Sequence, residues 1–222
     1  MSIEIVLLSL ESILLIVTII LLIYSIKEGK QRNKLILEMG KATKVLTRQE
    51  YFLAILDSMM DAKGEITGCI TGRLPSGDDK RMVRDIIANI ERMTKKGVRV
   101  RYLMPKFPDR LHLGYLYMKA GAEILYSSCL MVHNIRFIVI DDRIVVIGIP
   151  ESIGEREATK KGYRIPSEGL AMMLKNYLDS CEKQSNFTEY LKEVISQTGA
   201  SPEHIAREYQ IDEEELKKLA GT

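Results

Sequence analysis

Reactive side chains are sparse in this chain, and the best placed of them opens the stretch MVHNIRFIVIDDRIVVIGIPE, residues 131–151. His133 stands at its front, ahead of two apolar runs that flank Asp141-Asp142-Arg143. An imidazole serves as a nucleophile or proton carrier near neutral pH. What it can do here depends on which charged groups share its side of the backbone. His112 falls in a helical pattern and His204 in the C-terminal tail, and both read as surface or packing residues. The three cysteines, Cys69, Cys129 and Cys181, follow no CxxC or His/Cys spacing. Neither a zinc site nor a disulfide framework is indicated, and three uncoordinated thiols suit a reducing compartment. No metal and no cofactor is expected.

The elements that must position His133 are legible on both sides of it. EITGCITG (65–72) reads as a short strand closed by glycine. DDKRMVRDIIANIERMTKKG (78–97) reads as a helix, with Met82, Ile86, Ile90 and Met93 on one face and Gly97 at its end. VRVRYLM (98–104) alternates as a strand, DRLHLGYLYMKAG (109–121) is a second helix, and AEILYS (122–127) a third strand. A hairpin follows, with strands at about 131–140 and 143–149. Residues 166–184 then form a helix capped by Ser167. This order predicts an α/β fold, a mixed β-sheet flanked by helices.

That order of elements, with KKGVRVRYLMP, KAGAEI and the histidine-bearing hairpin, resembles the phospholipase D-like superfamily over about residues 50–183. The family pattern is His-x-Lys, four residues, then Asp, often followed by Gly-Ser and an Asn. The resemblance implies a histidine that attacks a phosphodiester, a Lys and an Asn that stabilise charged oxygens, and a second histidine for the leaving group, without a metal. In single-copy members two chains supply the two histidines. His133 takes the histidine position and Gly148 the glycine. Ile135 stands where the family has Lys, and Arg136, one place late, is the nearest cation. Asp141 falls eight residues after His133, one more than the pattern. Ile149 replaces the Ser and Glu151 the Asn. A shift of one residue along a strand turns a side chain to the other face. Glu151 also sets a negative charge where a phosphoryl group belongs, and losing even one preorganised donor costs about 3–4 kcal/mol of transition-state stabilisation. The expectation is a degenerate, non-catalytic binding or scaffolding module. The alternative is a metal-independent phosphodiesterase acting as a homodimer, with His133 as nucleophile, Arg136 and Asp141 as its partners, and Gly148 and Glu151 at the substrate. Arg156, Lys160, Lys161 and Arg164 in the polar stretch 148–170 suggest a basic rim for a phosphate-bearing ligand, diluted by Glu155 and Glu157.

Residues 5–26, IVLLSLESILLIVTIILLIYSI, contain one charge, Glu11. Twenty-two helical residues span roughly 33 Å, enough for a bilayer core. No basic start or A-x-A site marks a cleaved signal. Lys27, Lys30, Arg32 and Lys34 follow the segment and no Lys or Arg precedes it, so a single-pass anchor with a cytoplasmic C-terminal domain is expected. Leu35, Met39, Ala42, Leu46, Gln49, Leu53 and Leu56 alternate steps of four and three. They read as a helical stalk over 27–63 that either pairs as a coiled coil or packs on its own domain.

The expected organisation is thus an anchor (1–26), a stalk (27–63), an α/β domain (64–183) and a helical tail (184–222). The tail reads as three short helices, and SPEHIAREYQIDEEELKKLA has the apolar spacing of a helix-turn-helix. Its last helix opens on Asp212-Glu213-Glu214-Glu215, which repels phosphate, and net charge is only +2, so nucleic acid is not the expected partner. A protein partner fits the tail better.

Overall fold

In the computed structural model, residues 3–42, 44–73, 79–150 and 159–221 are described. The chain divides into two units, Met1–Lys41 and Ala42–Thr222. The first consists almost wholly of helix α1, Ile3–Ala42. Within it Leu10–Lys30, 21 residues of mean hydropathy 2.2, is long and apolar enough to cross a membrane. By length and composition alone an N-terminal signal passes the same test.

The helical spacing that runs from Leu35 to Leu56 is not one helix. Strand β1 (Lys44–Thr47) interrupts it, and α2 (Arg48–Met60) starts afresh. The break is chemical. Thr47 accepts the Glu50 backbone N–H at 3.4 Å, and the Glu50 carboxylate accepts the Thr47 N–H at 2.8 Å. This reciprocal cap ends any continuing helix and begins the next. Leu46 is buried in the domain core whereas Leu53 is 52% exposed, so the spacing marks no common seam.

Among the described residues eight strands form one mixed sheet. After β1 come β2 (Glu65–Cys69), β3 (Arg99–Pro105), β4 (Glu123–Ser127), β5 (Arg136–Ile140), β6 (Ile144–Pro150), β7 (Thr159–Pro166) and β8 (Ser185–Asn186). Their spatial order is β1-β7-β6-β5-β2-β3-β4-β8. β2, β3 and β4 run parallel, joined by α3 (Asp79–Lys95) and α4 (Leu111–Lys119). β5 pairs antiparallel with β2, and the β5–β6–β7–β1 side is antiparallel throughout. The expected mixed sheet with helices on its faces is what forms.

α2, α3, α4 and the C-terminal helices α7 (Phe187–Thr198), α8 (Pro202–Glu208) and α9 (Glu213–Ala220) share one large core with Ile66, Val100, Ile124, Ile138 and Ile140. On α3, Ile86, Ile90 and Met93 are buried as the spacing predicts. Gly121 ends the next helix at φ +97°, where a Cβ would meet Thr94 Oγ1 at 2.8 Å. Only glycine takes that conformation without strain. The other face carries α6 (Glu168–Ser180), which buries Ala171, Leu174 and Leu178 against Leu103, Phe137, Val139 and Val145. Ser167 caps α6 by accepting the Leu170 N–H at 3.3 Å.

Two further expectations are corrected. The polar stretch 148–170 is not a single loop, because Thr159–Pro166 is β7, paired with both β6 and β1. Its two lysines and glycine hide a strand whose place depends on neighbours distant in sequence. Nor are all three thiols free. Cys129 and Cys181 form a disulfide across a separation of 52 residues, and only Cys69 is unpaired and buried.

Candidate functional site

The C-terminal ends of β2, β3 and β4 meet the start of β5 and the end of β6 along one edge of the sheet. Loops at such an edge are where open α/β sheets hold ligands. His133 lies here, though not on a strand. Residues Leu130–Asn134 form a one-turn helix, α5, and β5 begins only at Arg136. The expected strand from 131 is therefore shortened. Ser127 Oγ accepts the Cys129 N–H at 3.1 Å, and the Cys129 carbonyl accepts the Val132 N–H at 3.2 Å. These bonds and the Cys129–Cys181 link curl the chain before it enters the sheet.

The half-buried His133 ring meets Phe107, in the loop after β3, at 5.2 Å between centroids and 67° between planes. Such edge-to-face contacts contribute about 0.5–1.5 kcal/mol beyond burial. Phe107 also carries the Arg110 guanidinium, 5.4 Å from the ring centroid.

Arg136 faces elsewhere. It lies in the β5 row with Ile138 and Ile140, which join the large core, whereas Val132 just before it is buried in the cluster under α6. Across the sheet Arg136 is opposite Gly148, Gly148 opposite Gly162, and Gly162 opposite Leu46. Directly opposed residues share a face. The Tyr51 ring lies over Gly162, where a Cβ would sit 2.5 Å from Tyr51 Cδ2. Burial pushes the Tyr51 hydroxyl up, with the Arg136 charge acting against it. Burial likewise pushes the Cys69 thiol up to about 12, again opposed by Arg136. The guanidinium charge thus acts on Tyr51, beneath α2, and on Cys69, which is buried on the other face in the cluster under α6.

Asp141 is at the opposite edge of the sheet from His133. It turns the β5–β6 hairpin with φ +49°, followed by Asp142 at φ +56°. Its carboxylate accepts the backbone N–H groups of Lys63 and Gly64, each at 2.8 Å, and of Glu65 at 3.0 Å. Burial alone would raise its pKa, but these three donors and Arg143 hold it below the usual carboxylate range. This is a clamp on the entry to β2. Around it Lys175 bridges Glu65 at 2.6 Å and Asp142 at 2.7 Å, beside an open cavity of about 390 Å³. The structure therefore gathers His133, Arg136 and Gly148 at one edge, with the first two on diverging paths, and leaves Asp141 at the other. Glu151 and Arg156 lie outside the described residues, as do the side chains of Lys160 and Lys161. Arg164 of the expected basic rim turns toward α2, where its Nε donates to Ser58 Oγ at 3.3 Å.

Sequence reasoning missed Phe107, Tyr51 and the cysteine pair. Only the last left a trace, in that Cys129 stands four residues before His133. Exposed apolar side chains rim the same edge, Leu130 at 77% and Ile149 at 51%.

No family model matches this chain, and no curated protein matches it. Among solved structures it is similar to Nuc from Salmonella typhimurium, a phospholipase D family member, at 15% identity and a TM-score of 0.49, covering 65% of this chain and 97% of that one. It is similar also to NucT from Helicobacter pylori, at 15% identity and a TM-score of 0.48, covering 63% and 96%. A third, TrmBL2, an archaeal chromatin protein, aligns at 14% identity and a TM-score of 0.45, covering 78% and 70%. Likeness at this level assigns neither family nor activity.

The C-terminal helices are part of the domain, not an appendage. Tyr126 of β4 stacks on Tyr190 of α7 at 4.3 Å. His112 Nδ1 donates to the Tyr209 carbonyl at 2.7 Å, tying α4 to the turn between α8 and α9. In that turn Gln210 has φ +52°, with Ile205, Ala206, Ile211 and Leu216 buried around it, a helix-turn-helix arrangement. Glu215, on the helix that a helix-turn-helix DNA reader would place in the groove, instead accepts hydrogen bonds from Lys119 and Tyr115.

Proposed function

We propose that this chain is a membrane-tethered, degenerate phospholipase D-like module that binds a phosphate-bearing or protein ligand at the His133 edge without cleaving it. One observation carries this reading: His133 packs on Phe107, while Arg136 stands in the β5 row with Ile138 and Ile140, on the face of the sheet that α2 covers. Diester cleavage by histidine needs cations and amide donors aimed at the reacting phosphoryl oxygens, since a nucleophile alone lacks oxyanion support. Among the described residues no hydrogen bond or ion pair engages the His133 ring. The Asp141 position supports the same reading, because its carboxylate is occupied by three backbone donors at the far edge. The apolar span and the basic residues that follow it support a tether with the domain on the cytoplasmic side. The tail, with its outward Asp212, Glu213 and Glu214, supports a protein partner over nucleic acid.

The second reading is a homodimeric phosphodiesterase that pairs two His133 side chains. The half-buried imidazole at the ends of the parallel strands favours it. The test uses the full chain in detergent micelles with bis(4-nitrophenyl) phosphate as a generic diester. The binding reading expects no turnover above buffer and an identical trace for His133→Ala. Turnover abolished by His133→Ala would establish the enzyme instead.

A further inference from the structure

We propose that the Cys129–Cys181 bond is a reversible redox latch on the turn that carries His133. The proposal rests on the reading of the His133 edge as the binding edge. Its two ends differ in how firmly they are held. Cys181 caps α6, is buried, and donates its N–H to the Leu178 carbonyl at 3.2 Å. Gln184 Nε2 donates to the carbonyls of Leu178 at 2.8 Å and Cys181 at 3.0 Å, fixing that end further. Cys129 begins the segment that leads through α5 to His133. Five residues of helix do not hold themselves. Beyond the disulfide, α5 is held by buried Val132, by the Ser127 bond to the Cys129 N–H, and by the Phe107 contact with His133. Leu130 is on the surface. The link is therefore the main covalent constraint on where His133 stands.

Compartment supplies the second argument. On the reading that the basic flank keeps the domain on the cytoplasmic side, it sits where thiols are kept reduced, and disulfides there are transient or regulatory. Cys129, half-buried, is the more open end of the link, whereas Cys69 is enclosed. Opening consumes two electrons and two protons from a dithiol reductant, which leaves as its own disulfide. The Cys129–Cys181 S–S bond breaks and two S–H groups form. α5 then loses its tie to α6, and His133 its fixed position against Phe107.

The test is hydrogen exchange by mass spectrometry on the full chain in micelles, air-oxidised and after dithiothreitol, with non-reducing peptide mapping of the thiols. Mapping is expected to find Cys129 joined to Cys181 before reduction. Reduction should raise exchange at residues 129–135 at least ten-fold while β2, β3 and β4 keep their protection. Cys129→Ser and Cys181→Ser should each reproduce the reduced pattern and show no further response, and Cys69→Ala should respond like the parent chain. Two free thiols at 129 and 181 in the oxidised chain, or equal exchange of 129–135 in both states, overturns the latch. Inorganic phosphate is titrated in parallel by following the His133 imidazole resonance. An exchange change with no phosphate response leaves the latch standing and removes the ligand class. A phosphate response with unchanged exchange does the reverse.

Discussion

The His133 and Phe107 rings meet edge to face at 5.2 Å between centroids, and the Arg110 guanidinium lies 5.4 Å from the Phe107 centroid. Phe107 is 42% exposed, so its truncation loses the contact more than it opens a cavity. In urea unfolding, Phe107→Ala should destabilise by about 1–2 kcal/mol and His133→Ala by about 1. The double variant should fall short of their sum by roughly 0.5–1 kcal/mol. Strict additivity would mean that the two rings do not support one another.

Asp141 makes a sharper prediction, since it was read from the sequence as a partner of His133 and instead clamps three backbone N–H groups. Hydrogen bonds to a charged acceptor are each worth about 1.5–3 kcal/mol, although the exposed Lys63 and Gly64 donors can turn to water when the carboxylate is lost. Asp141→Ala should destabilise by roughly 2–4 kcal/mol, with no change in any ligand response at the His133 edge. Its folded-state pKa is held below the unfolded value, so the charged form stabilises the fold. That contribution is fully present above pH ~4 and is lost as pH falls through the folded-state value. Urea midpoints between pH 7 and pH 3 should drop more steeply for the parent chain than for Asp141→Ala. Parallel curves would remove Asp141 from the acid sensitivity.

The Arg136 row gives a packing test. Gly162 leaves its space to the Tyr51 ring, and a methyl group there meets Cδ2 at 2.5 Å and Cβ at 2.9 Å. Neither can give way freely, because Tyr51 is buried among core residues. Gly162→Ala should destabilise by about 1–3 kcal/mol through overpacking. In a Tyr51→Leu background the same change should cost clearly less. A cost that persists there would locate the strain in the backbone of β7 instead.

What the sequence disclosed follows from range. Periodicity and punctuation are local, so α3, α4, α6 and the three tail helices were legible from Gly97, Gly121, Ser167 and Ser201-Pro202. The hairpin was legible from two apolar runs around Asp141-Asp142-Arg143. β1 and β7 were not, because each is short or polar and becomes a strand only through pairing with a remote neighbour, as Leu46 with Gly162. α5 was hidden by a disulfide partner 52 residues away. At the site, His133 and Arg136 could be named but not oriented. Their divergence depends on one helical turn before β5 and on Tyr51 arriving from α2.

The C-terminal helices decide whether residues 184–222 are a separable module. α7 inserts Phe187, Leu191 and Val194 into the main core, and α8 and α9 add Ile205 and Leu216. Fully burying one such side chain contributes roughly 1.5–3 kcal/mol. Removing them together, and uncovering Tyr126 of β4, approaches or exceeds the ~5–15 kcal/mol by which a domain is stable. The surface ties weigh far less. Glu215 and its partner Lys119 are both about half exposed, and an ion pair open to water contributes little. Glu215→Ala should therefore shift the urea midpoint only slightly, with little more from its bond to Tyr115. A chain ending at residue 186 should instead lose its cooperative unfolding transition, judged by near-ultraviolet circular dichroism and a thermal scan. If that shortened chain melted cooperatively at the parent temperature, the tail would be an appended module and its buried side chains incidental to the sheet.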